Sequence, residues 1–312
     1  MSEALSVDGM ALDLDSPARS CCLVVPLYRP CLTEDEALSL VITHARAVGV
    51  AALKILHPPA IAGFVARLQG WFSKEHPDRF SFESLEVPSE YFQGVSAYSK
   101  LLLSEFFYEL LVDYEWLFIV QLDALLLSDQ LVPWLSMPYS YIGAPWFVGL
   151  DQPIKPLQPL GGGNGGFSLR RIADCLDVLR YRGNLYRPLR RMERITLPHQ
   201  RWRAEIRACR HISTHSNALD KLDLFEDVFW SFVAPEMNSR FSVAPFSVSA
   251  SFAVETEPRF FFAQSQDPPL GCHGYRRHDP MFWDDLWLLN PELVQAYIEP
   301  AHRLADHLEG SQ

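Results

Sequence analysis

No two cysteines in this chain form a C-x-x-C pair, no apolar stretch runs unbroken to membrane-spanning length, and no G-K-[ST] follows the glycine-rich run. The first absence argues against a zinc ribbon. The second argues against a membrane-spanning helix. The third excludes a Walker A loop. Basic residues are also in the minority. The 27 Lys and Arg face 38 Asp and Glu, for a formal net charge of −11, so nucleic acid is not an expected partner. Residues 1–20 carry Glu3, Asp8, Asp13 and Asp15 and no long apolar core. They read as a loose leader rather than a signal peptide, and the expected compartment is reducing and cytoplasmic.

What remains is ordinary globular material. Hydrophobic residues make up 48% of the 312 and charged residues 21%, enough to bury a core without disulfide or metal staples. Residues 21–312 are expected to form a single catalytic domain. It is interrupted at about 172–215 by an elaboration, and twelve arginines run from Arg170 and Arg171, just before it, through Arg182, Arg187 and Arg194 to Arg210. That stretch reads either as a solvated face or as a contact for an anionic acceptor or the inner membrane surface.

The apolar pattern alternates between strand and helix periods. Residues 22–28 form a continuous apolar run, suited to a buried parallel strand. Thr33 opens T-E-D-E, a capping box, and apolar residues at helical spacing follow it. A strand is expected at 51–56, a helix from Ile61 to Phe72, a helix at 98–112 and a strand at 116–121. A short strand is expected at 139–142, strand-like runs at 240–262 and a C-terminal helix at about 291–308. This alternation implies an α/β fold with a largely parallel sheet, with ligands bound beyond the carboxyl ends of the strands.

Five segments carry chemistry. In Gln121-Leu122-Asp123-Ala124, an acid stands just past a strand, where a carboxylate can hold a divalent metal against a diphosphate. A solvated acid ending a strand would look the same. The run from Gly161 to Gly166 around Asn164 reads as a loop that lets backbone approach a ligand, with a following helix N-terminus offered to phosphate. Glu226 and Asp227 precede an aromatic cluster, where a carboxylate can serve as general base or merely complement a helix dipole. His273, between Cys272 and Gly274, can ligate a metal, although a lone histidine is more often structural. Lys100 on a helix before Asp123 reads as a phosphate contact or as a solvated lysine.

Taken in order, VVPLYRP, AYSKLLL…FIVQLDALLL, YIGAPWF, GNGGFSLRR, EDVFW and GCHGY resemble a mostly bacterial family catalogued as a domain of unknown function and regarded as glycosyltransferase-like. The resemblance runs from about residue 23 to 283. It implies a GT-A, Rossmann-like fold with a mixed central sheet flanked by helices. More distantly, YSKLLL, QLDA and His273-Gly274 resemble glycogenin-like transferases, which implies a donor contact for Lys100 and a metal-ligand role for Asp123 and His273. Glu226-Asp227 resembles the acid pair of inverting galactosyltransferases. That analogy implies inversion, with Asp227 as base and Glu226 beside it.

The expected function is transfer of a sugar from a nucleoside-diphosphate sugar, with UDP as the expected nucleotide, to a hydroxyl of a glycan or lipid-linked glycan. Mn²⁺ or Mg²⁺ would sit on Asp123 and His273. Pro26, Leu27, Tyr28, Arg29, Lys100, Gln121, Leu122, Asp123, Ala124, Gly163, Asn164, Gly165 and Gly166 are the expected donor contacts. Trp146, Phe147 and Trp230 are candidates to stack on acceptor sugars, or else core residues. Gln121 departs from the usual first acid of D-x-D. That departure keeps open a non-catalytic nucleotide-sugar or glycan-binding module, and the fold alone keeps open a nucleotide-sugar hydrolase.

Overall fold

A computed structural model describes residues 20–180, 224–265 and 267–309. The expected leader and most of the arginine-rich elaboration, with its membrane reading, lie outside the described residues. No helix among the described residues is long and apolar enough to cross a membrane.

Strands and helices alternate from the start: β1 (Cys21–Pro26), α1 (Glu34–Arg46), β2 (Ala52–His57), α2 (Ala62–Glu75) and β3 (Phe82–Glu86). Then come α3 (Val95–Leu102), α4 (Glu105–Glu109) and β4 (Trp116–Val120). Next are β5 (Ala124–Leu126), β6 (Tyr141–Phe147), β7 (Pro159–Arg171) and α5 (Ile172–Leu179). The central sheet has six strands in the order β3-β2-β1-β4-β7-β6. β1, β2, β3 and β4 run parallel, while β7 is antiparallel to both its neighbours. This is the α/β architecture expected, with a mixed central sheet flanked by helices.

The continuous apolar runs are explained by two cores. Cys21, Leu23 and Val25 of β1 pack into one cluster with α1 and α2, and Cys22 and Val24 into the other with α3 and α4. β4 divides the same way: Trp116, Phe118 and Val120 face the first core, Leu117 and Ile119 the second. A strand buried on both faces has no polar side to show. Successive β–α–β units therefore move outward from β1 in one direction, then cross to β4 on its other side. The carboxyl ends of β1 and β4 diverge at that reversal and leave a crevice.

Three local expectations need correction. The helix expected at 98–112 is two helices, because Ser104 breaks it and caps α4 through the Phe107 N–H at 3.2 Å. The glycine run is not a loop: it lies within β7, bulged against β6. The helix after it, α5, starts beside Trp116, at the amino end of β4, and so turns its N-terminus away from the crevice. The 240–262 stretch is mainly helical, Phe246–Phe252 and Pro258–Phe262, with one short strand between them, β8 (Ala253–Val254). The T-E-D-E box forms as read: Glu36 N–H donates to Thr33 Oγ1, and Thr33 N–H to the Glu36 carboxylate. Near the C-terminus a helix at Pro280–Leu289 precedes the expected one, which spans Gln295–Glu309.

Candidate functional site

β9 (Gly271–His273) joins β5 and β8 in a small second sheet of order β5-β9-β8, and its register assembles the site. Ala124 pairs with His273, so Asp123 falls beside the imidazole. Val254 pairs with Cys272, so Glu255 falls on its other side. The Gly274 N–H donates to the Asp123 carbonyl at 2.9 Å, and Gly274, at φ 60°, makes the turn that closes the strand.

His273 Nε2 lies 3.2 Å from Asp123 Oδ1 and 3.2 Å from Gln121 Oε1. Its Nδ1 lies 3.0 Å from Glu255 Oε1. Burial alone would hold the imidazolium down. The Asp123 charge and hydrogen bond, with the Glu255 hydrogen bond and charge, outweigh burial and push the His273 pKa up to about 10. Burial pushes the Asp123 carboxyl upward, but His273 more than compensates and holds it below the usual carboxylate range. Gly166 must be glycine here, since a Cβ would strike His273 Nε2 and come within 2.7 Å of Gln121 Oε1.

A second acid cluster lies further along β7. Arg170 is fully buried and grips Glu226, with Nη2 2.9 Å from Oε1 and Nη1 2.8 Å from Oε2. Ser168 Oγ, the Tyr108 hydroxyl and the Gly165 carbonyl accept its remaining N–H groups. Gly165 leaves room for this pair, because a Cβ there would overlap Glu226 Oε1. Asp227 is half-buried and accepts from Val228 N–H at 2.8 Å and Gly165 N–H at 3.4 Å. Burial, then the adjacent Glu226 charge, pushes the Asp227 pKa up to about 7. A π-helical turn follows at Phe229–Val233 and brings Ser231 Oγ to the Gly163 N–H at 2.9 Å. The two clusters share one field, because Glu226, Arg170 and Asp123 all act on the buried Tyr98 hydroxyl beside Gln121.

The crevice beyond β1 and β4 encloses about 530 Å³ and is lined by Pro26, Tyr28, Tyr98, Gln121, Leu122 and Asp123, with apolar Phe92 and Val95. That size falls in the range of small-ligand sites. No Lys or Arg is among the described residues that line it.

Several expected donor contacts have other partners or places in the structure. Leu27 and Ala124 are core residues. Arg29 pairs with Glu36, which accepts from it at 2.6 Å and 2.5 Å. Lys100 stands two positions past Tyr98, turned roughly 200° around α3, and is absent from the lining. Asn164 holds Glu255, its Nδ2 donating to Oε1 at 2.9 Å. Gly163 lies against the backbone of Gly143, where a Cβ on either residue would collide.

The aromatic candidates for stacking on acceptor sugars are buried. Phe147 packs among Phe246, Phe260 and Phe261, and Trp230 between Tyr108 and Phe241. Trp146 Nε1 donates to Glu255 Oε2 at 3.1 Å. None of the three presents a ring face to solvent, because each fills the core behind β6 or β7. Glu255 and Arg170 were not singled out from the sequence. For Glu255 a signal existed: it follows a short apolar run, as Asp123 does, and only the pairing of β8 with β9 shows that the two acids meet at one histidine.

The chain belongs to the family described as a protein of unknown function, DUF5672, whose model matches residues 81–273. No protein of curated function matches it. Among solved structures it is similar to the galactosyltransferase LgtC in complex with donor and acceptor sugar analogs, at 10% identity and TM-score 0.45, covering 81% of this chain and 86% of that one. It is also similar to mouse xyloside xylosyltransferase 1 in its apo form, at 12% identity and TM-score 0.44, covering 82% and 97%. A third is the mannosyltransferase PcManGT from Pyrobaculum calidifontis in complex with GDP-Man and Mn²⁺, at 11% identity and TM-score 0.33, covering 94% and 88%.

Proposed function

We propose that this protein is a GT-A type glycosyltransferase that moves a sugar from a nucleoside-diphosphate donor, with UDP as the expected nucleotide, to a hydroxyl of a glycan or lipid-linked glycan. The observation that carries the reading is the convergence of Gln121, Asp123 and His273 at the mouth of the crevice beyond β1 and β4. Among the described residues no three His, Cys, Asp or Glu side chains form a metal cluster. With Gln121 as the third donor, the set is one carboxylate, one imidazole and one amide oxygen. That mixture suits Mn²⁺ or Mg²⁺.

Charge supports the same conclusion. The described part of the site carries Asp123, Glu255, Asp227 and Glu226 against His273, an Arg170 already paired with Glu226, and Arg277, which acts on Asp123 while bonded to Asp151. A diphosphate entering such a site would be repelled without added positive charge. Asp123, His273 and Gln121 would hold a divalent cation, which would supply that charge when bound.

The chain's own residues would do the rest. The apolar wall of Pro26, Tyr28, Phe92 and Val95 offers a face to the nucleotide base. Asp227 takes the proton of the acceptor hydroxyl, whose oxygen bonds to the anomeric carbon. The bond from that carbon to the diphosphate oxygen breaks, and its electrons leave with the phosphate. A single displacement of this kind inverts the anomeric centre. A pKa near 7 suits a base that must accept a proton at neutral pH.

The test follows UDP release from UDP-sugars with Mn²⁺, with and without acceptor glycans. The reading expects acceptor-dependent release and a glycosylated product. Release indifferent to acceptor would identify a hydrolase. Binding without release would identify a binding module.

A further inference from the structure

The acid beside the imidazole has a role of its own. Glu255 is 2% exposed, yet its carboxylate collects three N–H groups from three parts of the fold. These are His273 Nδ1 at 3.0 Å from β9, Asn164 Nδ2 at 2.9 Å from β7, and Trp146 Nε1 at 3.1 Å from β6. An ionised carboxylate only accepts, so His273 Nδ1 carries a proton in both the neutral and the charged ring. Nε2 is then the nitrogen turned toward Asp123 and Gln121.

We propose that Glu255 is the positioning residue of this site, clamped by Asn164 and Trp146 so that His273 offers Nε2, and not Nδ1, to a divalent cation. The proposal rests on the metal reading above and reassigns two residues first read as ligand contacts. Asn164 and Trp146 act here through Glu255. Glu255 cannot turn away from His273 without leaving the buried Trp146 indole and the half-buried Asn164 amide without that acceptor, which is costly. A carboxylate fixing the far nitrogen of a histidine is the kind of support that governs metal affinity from outside the ligand set.

The test uses the full chain, with Mn²⁺ as the probe and electron paramagnetic resonance to follow free Mn²⁺. Proton–nitrogen spectra of the histidine side chains in the metal-free protein give a second, independent readout. Glu255→Gln keeps the volume but offers one acceptor oxygen where three donors converge. Its amide N–H₂ then opposes another donor. Trp146→Phe is the milder companion, removing one donor from the clamp.

The wild type is expected to show a protected His273 Nδ1–H resonance. In Glu255→Gln that resonance is lost or displaced, and Mn²⁺ binding weakens by roughly 10–100-fold. Trp146→Phe shifts the same resonance and weakens Mn²⁺ by less. Unchanged resonance and unchanged Mn²⁺ affinity in Glu255→Gln would overturn the clamp. If that variant does not fold, unchanged values in Trp146→Phe would do so. If the wild type binds no Mn²⁺, the metal reading fails, and the Nδ1–H resonance alone decides the role of Glu255.

Discussion

Asp227 and Glu226 are neighbours in sequence with separate roles. Glu226 is spent on Arg170, and its charge helps keep Asp227 protonated to higher pH than an ordinary aspartate. The active form of a general base is the carboxylate. The kcat/KM profile is therefore expected to climb as pH rises through about 7. Asp227→Asn should lower kcat by on the order of 10²–10⁴-fold while donor affinity holds, measured by steady-state kinetics beside a donor titration. An unchanged kcat would remove Asp227 from the chemistry. Glu226→Gln takes away a charge that raises Asp227, so the rising limb should move to lower pH in whatever fraction of the variant folds. It also strands Arg170, which should cost about 3–5 kcal/mol in denaturant unfolding. Neither Arg170 nor Glu255 was legible as a site residue, because what each does depends on partners from other strands. Asp123 and His273 were legible as candidates because each stands in a short motif, and the pairing of β5 with β9 brings the two together.

The elements show where sequence periodicity is decisive and where packing overrides it. β1, β2 and β4 were readable because a strand buried on both faces leaves an apolar run with no alternation. α1 was readable from its capping box. Thr33→Ala should cost about 1 kcal/mol by thermal unfolding, and because Glu36 also holds Arg29, the loop after β1 should loosen with it. The glycine run was misread for a physical reason. Glycine density suggests a loop, but Gly163, Gly165 and Gly166 are small because Gly143, Glu226 and His273 press against β7. Gly166→Ala should therefore push His273 off its position. A Mn²⁺ titration should show weaker binding in a protein that keeps its melting temperature within a few degrees. Wild-type affinity there would mean that the imidazole does not ligate. Residues 240–262 misled in the opposite sense: their aromatic and β-branched residues favour strands, yet tertiary packing of Phe246, Phe252 and Phe261 makes them helices.

Across the whole molecule, the proposed function has a two-way wound sheet present an acidic, cation-requiring site to an anionic donor. Net charge of −11 makes that requirement sharper, since the long-range field also opposes a diphosphate. Metal and donor should then bind together, each strengthening the other by the same factor. The direct measurement is calorimetric titration of UDP into the protein with Mn²⁺, without it, and with Asp123→Asn in the presence of Mn²⁺. A clear isotherm is expected in the first case and strongly weakened or absent binding in the other two. UDP binding of equal strength with and without Mn²⁺, or undiminished in Asp123→Asn, would contradict the cation requirement.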